Sequence, residues 1–428
     1  MKKFLAMLLA LVMALSLVAC GGGTTTDDKT SDDQTSDTDG AKVKVGFITL
    51  HDENSTYDLN FINGAKEAIA NLGLTEDDYI LKTNVPEGQE CYETAMDMVD
   101  NGCNIIFADS FGHEPYMIDA AKENPDVQFC HSTGTRAHTE GLANYHNAFA
   151  SIYEGRYLAG IAAGMKLNEM IEAGKFTAEE AKMGYVGAFT YAEVVSGYTS
   201  FYLGAKSVCP TVTMEVTFTG SWYDETLEKT GAELLIDRGC KLISQHADSF
   251  GAPTACQNAG VPNVSYNGST KNVGADTYII SSRIDWAPYY EYAIKAVMNG
   301  TAIDADWTGT LATGSVVLEE LNTDVAAAGT AEAIEAAKAK LESGELHVFD
   351  VSTFTTKADD TMNTFKVDFL KVDENGHITS YLADVDTDEA YTGDTEVVHD
   401  GYFAESEKRS APYFDLQIDG IELLNTAM

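Results

Sequence analysis

Apolar and polar positions change period along this chain, and the changes recur at regular intervals. Residues 43–50 form an apolar run rich in β-branched side chains, which predicts a buried strand. Leu59, Ile62, Ala65, Ile69 and Leu72 then recur at spacings of three and four. That is one face of an amphipathic helix, and Gly73 is placed to stop it. Short apolar runs at 104–108 and 127–130 predict further strands. The same plan returns at 183–186, 213–218, 241–244 and 261–265. Strands that alternate with helices imply parallel sheets covered on both faces, joined by right-handed crossovers. Further on, 278–282 reads as a strand and 288–298 as a helix, a unit that suits a return to the first half. Residues 330–343 are helical by their Ala, Glu and Lys content. Residues 365–372 and 377–382 flank Asp373-Glu374-Asn375-Gly376, which predicts a hairpin on an Asn-Gly turn.

The folded part is a duplication. Lys44-Val45-Gly46-Phe47 has a counterpart in Lys182-Met183-Gly184-Tyr185. Phe61-Ile62-Asn63-Gly64-Ala65-Lys66 matches Phe201-Tyr202-Leu203-Gly204-Ala205-Lys206, and Asp100-Asn101-Gly102-Cys103 matches Asp237-Arg238-Gly239-Cys240. Ala108-Asp109-Ser110-Phe111-Gly112 recurs unchanged as Ala247-Asp248-Ser249-Phe250-Gly251. The four shifts are 138, 140, 137 and 139, so two related lobes follow one another. Open parallel sheets bind ligands beyond the carboxyl ends of their strands. The repeated Asp-Ser-Phe-Gly segments each follow a strand directly, so they are expected to face one another across a cleft. Two such lobes make a hinged clamp.

Composition narrows the partner. Asp plus Glu is 67 and Lys plus Arg is 27, a formal net charge of −40. That balance excludes a nucleic-acid binder, which needs clustered cations for phosphate. It also disfavours free nucleotides. Lys2 and Lys3 precede an apolar stretch over 4–18, then Leu17-Val18-Ala19-Cys20 and three glycines. This is the layout of an export signal, too short for a spanning helix of about 20 residues. The tetrad resembles a bacterial lipobox, in which Cys20 is lipidated and becomes the new first residue. Residues 21–40 hold six Asp and no large apolar side chain, a composition that cannot offset the entropy of ordering. The six remaining cysteines, Cys91, Cys103, Cys130, Cys209, Cys240 and Cys256, form no CxxC pair. Three of them abut strand-like runs, and buried free thiols are expected.

Signatures of catalysis are missing. The chain has no GxGxxG, GxxxxGK[ST], GxSxG or HExxH, and its nine His are scattered. The strand ends instead carry aromatic and polar residues. Asp52, Tyr57 and Asp58 follow the first strand, and Ser110, Phe111 and Gly112 another. In the second lobe come Phe189, Ser221-Trp222-Tyr223-Asp224, Asp248, Tyr266-Asn267-Gly268 and Asp285-Trp286. Aromatic faces suit a flat ligand, and carboxylates or amides fix its hydroxyl or amine groups.

Several of these stretches carry a family resemblance. Ser55-Thr56-Tyr57-Asp58, Phe107-Ala108-Asp109-Ser110-Phe111-Gly112 and Gly155-Arg156-Tyr157-Leu158-Ala159-Gly160 are among them. Gly184-Tyr185-Val186-Gly187, Ser221-Trp222-Tyr223-Asp224 and Gln245-His246-Ala247-Asp248-Ser249 are others. Over roughly 43–300 the chain resembles the basic membrane protein (Bmp/Med) family of lipoproteins, purine-nucleoside-type substrate-binding proteins of ABC transporters. The resemblance implies an α/β, class I periplasmic-binding-protein-like fold of two Rossmann-like lobes with a hinge and an interlobe ligand cleft. It implies a monomer, no catalysis and no cofactor or metal, with a membrane permease as partner and a lipid anchor on the extracytoplasmic face. By position Tyr57 and Trp222 correspond to the family's two purine-stacking rings. Asp58 stands at a base-contact position where Asn is frequent, and Asn267 at a ribose-contact position where Asp is frequent. The family's following Lys has no counterpart near Asp285-Trp286.

The expected division is a signal peptide over 1–19 and a lipidated Cys20 with a tether over 20–40. The N-terminal lobe takes 41–180 plus about 278–310, and the C-terminal lobe 181–277 plus about 311–428. The tail past 345 exceeds the usual family core. A clamp for another solute, a sugar or an amino acid, stays open from the residues alone. So do an exported nucleoside hydrolase, for which Asp52, Glu53 and Asp58 are the dense acids, and a ligand sensor.

Overall fold

A computed structural model describes residues 43–428 other than 360, 365 and 386–394. The export signal, Cys20 and the tether expected over 1–40 lie outside the described residues. In the first lobe, β1 (Val45–Ile48), β2 (Tyr79–Lys82), β3 (Ile105–Ala108), β4 (Gln128–Ser132) and β5 (Tyr145–Ala150) are parallel. They alternate with α1 (Thr56–Asn71), α2 (Gln89–Asp100), α3 (Glu114–Glu123) and the short α4 (Ala137–Glu140). After α5 (Ile152–Glu172) the pattern restarts with β6 (Lys182–Gly187), β7 (Thr213–Phe218), β8 (Leu242–Gln245), β9 (Asn263–Tyr266) and β10 (Tyr278–Ile284). Helices α6 (Ala192–Val208), α7 (Glu225–Asp237) and α8 (Gly251–Ala259) separate these strands. Then α9 (Ala287–Asn299), β11 (Asp306–Gly309), β12 (Val316–Leu318) and α10 (Thr330–Glu342) lead into the tail.

The first sheet runs β11-β5-β4-β3-β1-β2. The second runs β12-β10-β9-β8-β6-β7 and ends on a tail strand, Ile421–Leu423, parallel to β7. Among the described strands of the two sheets, only β12 is antiparallel. The strands of both central pairs, β1–β3 and β6–β8, are buried on both faces, which is why they read as continuous apolar runs rather than alternating ones. The fold class expected from the strand-helix alternation is the one observed.

The crossings between lobes fall elsewhere than expected. Strand β10 stays in the second sheet, paired to β9, and the return to the first lobe begins with α9, which packs on α1. Helix α5 leaves the first sheet but packs beneath the second. Its Arg156 donates to Tyr185 Oη at 2.8 Å and to the Ser265 carbonyl at 3.3 Å. The chain therefore passes between lobes after β5, after β10 and after β11. An apolar run announces a buried strand; nothing in it says which sheet will accept it.

Helices α5 and α6 close the junction. A Cβ at Gly204 would lie 2.0 Å from the Tyr157 carbonyl oxygen, and one at Gly160 would lie 2.1 Å from that of Phe201. Backbone meets backbone there, and only glycine permits it. In the tail, β13 (Leu370–Val372) and β14 (Ile378–Ala383) form the expected antiparallel hairpin, with Gly376 at φ +90°. Phe365, where that hairpin was expected to begin, lies outside the described residues. The six cysteines from Cys91 to Cys256 are free and buried. No helix among the described residues is long and apolar enough to cross a membrane.

Candidate functional site

The carboxyl ends of both sheets meet around a cavity with about 360 Å³ of empty space. From the first lobe it is lined by Leu50 and His51 after β1, Tyr57 and Asp58 at the start of α1, Ser110 and Phe111 after β3, and Thr133 after β4. From the second come Glu193 at the start of α6, Trp222 after β7, His246 and Asp248 after β8, and Asn267 after β9.

Each side chain has a local reason for its place. Ser55 caps α1 by accepting from the Asp58 amide at 3.2 Å, and its hydroxyl donates to Asp58 Oδ2 at 2.6 Å. This turns the Asp58 carboxylate toward His51, whose amide donates to Oδ1 at 2.8 Å. Tyr57 donates its hydroxyl to the Asp109 carbonyl at 2.9 Å, which fixes the plane of the ring. The repeated turns are each held by a glutamate. Glu87 Oε1 accepts from Ser110 Oγ at 2.6 Å and from the Gly112 amide at 2.7 Å. Glu228 Oε2 accepts from the Ser249 amide at 3.0 Å. Ser110 and Phe111 of the first turn and Asp248 of the second line the same crevice, while Phe250 borders a separate space.

The lobes touch across it. The Asp248 carbonyl accepts from the Thr56 amide at 3.1 Å and from Thr56 Oγ1 at 3.0 Å. Asn60 Nδ2 donates to the Asn267 carbonyl at 2.7 Å. The rings of Phe111 and Tyr191 stack at 5.1 Å. The clamp is therefore shut in this structure.

Three carboxyls are buried at the seam, and they are not alike. Burial alone would raise Asp58, but hydrogen bonds from the His51 ring and amide and from Ser55 outweigh it and hold it below its ordinary value. Burial pushes Asp109 well up, with the Asp58 charge adding to it. Burial likewise pushes Asp248 well up, helped by the charges of Asp58 and Glu228. The seam thus holds carboxyls of unlike proton affinity, and Asp58 and Asp248 among them line the cavity, where they can hydrogen-bond a ligand's polar groups. No Lys or Arg lines the cavity.

Of the residues singled out in the sequence, Tyr57, Asp58, Ser110, Phe111, Trp222, Asp248 and Asn267 line this space together. Four others do not. Asp52 turns to Asn54 and Asn84, capping its own loop. Gly112 is held by Glu87 beside the cavity. Phe189 packs edge-on against Trp222 at 5.0 Å, behind the wall rather than in it. Trp286 is buried in the first lobe, stacked on Phe61 at 4.3 Å, because it starts α9 where that helix meets α1. A strand-end position does not decide whether a ring turns into the cleft or into the core.

Leu50, His51, Thr133, Glu193 and His246 line the cavity without having been singled out. The duplication held a signal for Thr133. Thr133-Gly134 lies 134 residues before Asn267-Gly268, close to the repeat shift. Thr133 has φ +71° and Asn267 φ +65°, a left-handed conformation uncommon for Thr and more readily adopted by Asn. Glu193 carried no signal beyond being an acid at a helix start. His246 Nδ1 pairs with Tyr185 Oη at 3.2 Å and Nε2 with Glu193 Oε1 at 3.4 Å, so it orients that carboxylate. Among the described residues no cluster of His, Cys, Asp or Glu has the arrangement of a metal site.

Comparison with known proteins agrees with this geometry. The family described as ABC transporter substrate-binding protein, PnrA-like, matches residues 46–346. A protein of Haloferax volcanii, provisionally named an ABC transporter glucose-binding protein, is 33% identical over 258 residues. The match covers 60% of this chain and 62% of that protein's length, so the chain spans less than two thirds of it. A purine-binding protein of Brucella abortus is 33% identical over 263 residues, covering 61% of this chain and 70% of its own. Among solved structures, a solute-binding protein of an ABC transporter system from Aeropyrum pernix K1 superposes with TM-score 0.60 at 19% identity, over 74% of this chain and 95% of that one. Another from Conexibacter woesei gives 0.56 at 22%, over 71% and 98%. At those identities the likeness is one of fold: two α/β lobes around a cleft. With 46–346 of its 428 residues inside the family match, this chain belongs to the PnrA-like ABC transporter substrate-binding proteins.

Proposed function

We propose that this protein is a lipid-anchored, extracytoplasmic receptor that captures a purine base or purine nucleoside between its lobes and presents it to an ABC permease. It binds and carries out no reaction. The observation that supports this most is the shut cavity itself. Tyr57, Phe111 and Trp222 supply ring faces, Asp58, Asp248 and Asn267 supply hydrogen-bonding groups, and no cation is there to meet a phosphate. Area burial and ring stacking in such a space contribute several kcal/mol, and micromolar affinity needs about 8 kcal/mol. The name of the Brucella relative supports a purine. A sugar is the second reading. The name of the Haloferax relative favours it, and buried carboxyls beside aromatic faces serve hydroxyl groups equally well.

Isothermal titration with adenosine, guanosine, inosine, adenine, xanthine and glucose tests the ligand. Heat with at least one purine and none with glucose is expected. Heat with glucose alone transfers the site to a sugar, and silence from every purine retires the purine reading. The anchor is tested separately. Mass spectrometry of the mature N-terminus should show a lipid-modified Cys20 as first residue, and an unmodified Cys20 or a different first residue would refute lipidation there.

A further inference from the structure

The segment past residue 346 lies outside the family match, yet it reaches the mouth of the cleft. A second, more open space of about 1060 Å³ adjoins the inner cavity and shares Phe111, Thr133 and Glu193 with it. Its far wall is built by the tail: Lys366, Arg409, Ala411, Pro412 and Asp415. The tail is held against both lobes. Ser410 donates its amide to Asp306 Oδ1 on β11 at 2.8 Å. On the other lobe, the Thr190 amide donates to the Ala427 carbonyl at 2.7 Å.

Two buried polar atoms among the lining residues lack a partner. Arg409 is 6% exposed. Its Nε and Nη2 donate to the Ala411 and Pro412 carbonyls at 3.1 and 3.0 Å, while Nη1 has no acceptor among the described residues. Thr133 is 4% exposed, and its Oγ1 is unpartnered too. A buried donor without an acceptor is costly, more so when charged, and such a site in a native protein asks for a missing group. Charge there is already balanced. Lys366 pairs with Asp415 at 2.6 Å, and the carboxyls of Glu405, Asp384, Asp306 and Asp415 act on Arg409. Glu193 would repel an arriving anion.

We propose that the outer space is a second ligand compartment, roofed by the tail, which takes a neutral, oxygen-bearing extension of the molecule seated in the inner cavity. This rests on the reading that the inner cavity holds the ligand; it does not rest on that ligand being a purine. Arg409 and Thr133 line that space, and side-chain rotations that bring Nη1 and Oγ1 to its surface supply hydrogen bonds to a hydroxyl or amide oxygen, while Phe111 and Tyr191 flank the passage.

Two probe pairs test it by titration: adenosine with its neutral 5′-N-ethylcarboxamide, and glucose with maltose. In one pair at least, the extended member should bind about fivefold tighter than the short one. Arg409→Leu should remove that advantage and leave the short member unchanged. Because Arg409 also anchors its own loop, Ala192→Trp, which fills the outer space from a half-buried position on α6, is the second variant and should do the same. Adenosine 5′-monophosphate should bind more weakly than the carboxamide, and the reverse order overturns the neutral assignment. If no extended member outbinds its short partner, or if the variants weaken both members equally, the compartment has no ligand role. Binding of purines without an extension advantage removes this proposal and leaves the purine reading standing. An advantage for maltose with silent purines does the opposite.

Discussion

Trp222→Ala separates a ring that grips ligand from a ring that packs the wall. Trp222 is half-buried, edge-on to Phe189 at 5.0 Å and tilted to Tyr191 at 6.0 Å, and its remaining surface lines the cavity. A Trp buries roughly 150–250 Å² in full, so a ligand covers about 60 Å² more, worth about 1.5 kcal/mol. Stacking geometry adds about 1 kcal/mol. The sum of about 2.5 kcal/mol is a rise in Kd of about 60-fold at about 1.4 kcal/mol per decade. The backbone should hold, because the Asp248 amide donates to the Trp222 carbonyl at 3.0 Å and alanine keeps that carbonyl. The assay is titration with whichever compound binds the parent protein, paired with fluorescence. The chain has three Trp, and Trp286 and Trp307 line neither the inner cavity nor the outer space. Ligand-dependent quenching should therefore vanish in Trp222→Ala. Trp222→Phe should recover most of the affinity but none of the quenching. An affinity within threefold of the parent, with quenching intact, would refute the placement of this ring against the ligand.

Other consequences follow from the same structure. Asp109 and Asp248 are pushed well above their ordinary value of 3.8, so the shut form binds protons that the unfolded chain has lost. Their contribution is therefore favourable at low pH and fades as pH rises from that value toward the raised one, whereas lowered Asp58 acts in the opposite sense below 3.8. Asp248→Asn should flatten the fall of Tm as pH rises above 3.8 in ligand-free protein, and an unchanged slope would show that this carboxyl contributes no raised titration. At the lobe junction, Gly204→Ala places a methyl 2.0 Å from the Tyr157 carbonyl and should cost about 3 kcal/mol or more, read as a drop in Tm by circular dichroism. A melting curve like the parent's would mean the helices part easily there. The six described thiols are raised by burial, Cys130 to about 12 and Cys103 to about 11. They should resist thiol reagents in the native state and react together on unfolding, as peptide mass spectrometry can read. Fast labelling of any one of them in native protein would contradict its placement.

The repeat shift and the runs at 43–50 and 183–186 were enough, with no coordinates, to predict two parallel-stranded lobes and a cleft between their repeated turns. Hydrophobic periodicity is set by local burial, and a duplication copies it, so both survive in one dimension. The same evidence put Tyr57, Asp58, Ser110, Phe111, Trp222, Asp248 and Asn267 at one place, because strand ends of parallel sheets converge. Strand β5 escaped notice: its Tyr-His-Asn-Ala-Phe-Ala sequence is fully buried yet polar at its centre, with Asn147 and His146 satisfied by groups remote in sequence.

What remained belongs to the tertiary structure. Trp286 and Trp222 both follow strands, yet one fills the core and the other the cleft, since the choice depends on what faces each ring from another element. The allegiance of β10 and α5 depends on which sheet edge and which glycine-lined helix surface lie within reach. The tail reads as an appendage until its Arg409 and Ala411 are seen closing the mouth of a cleft whose other residues lie hundreds of positions earlier. Local pattern fixes which residues are buried and in what period. Only packing at long range decides against which partner, and the ligand site consists of those decisions.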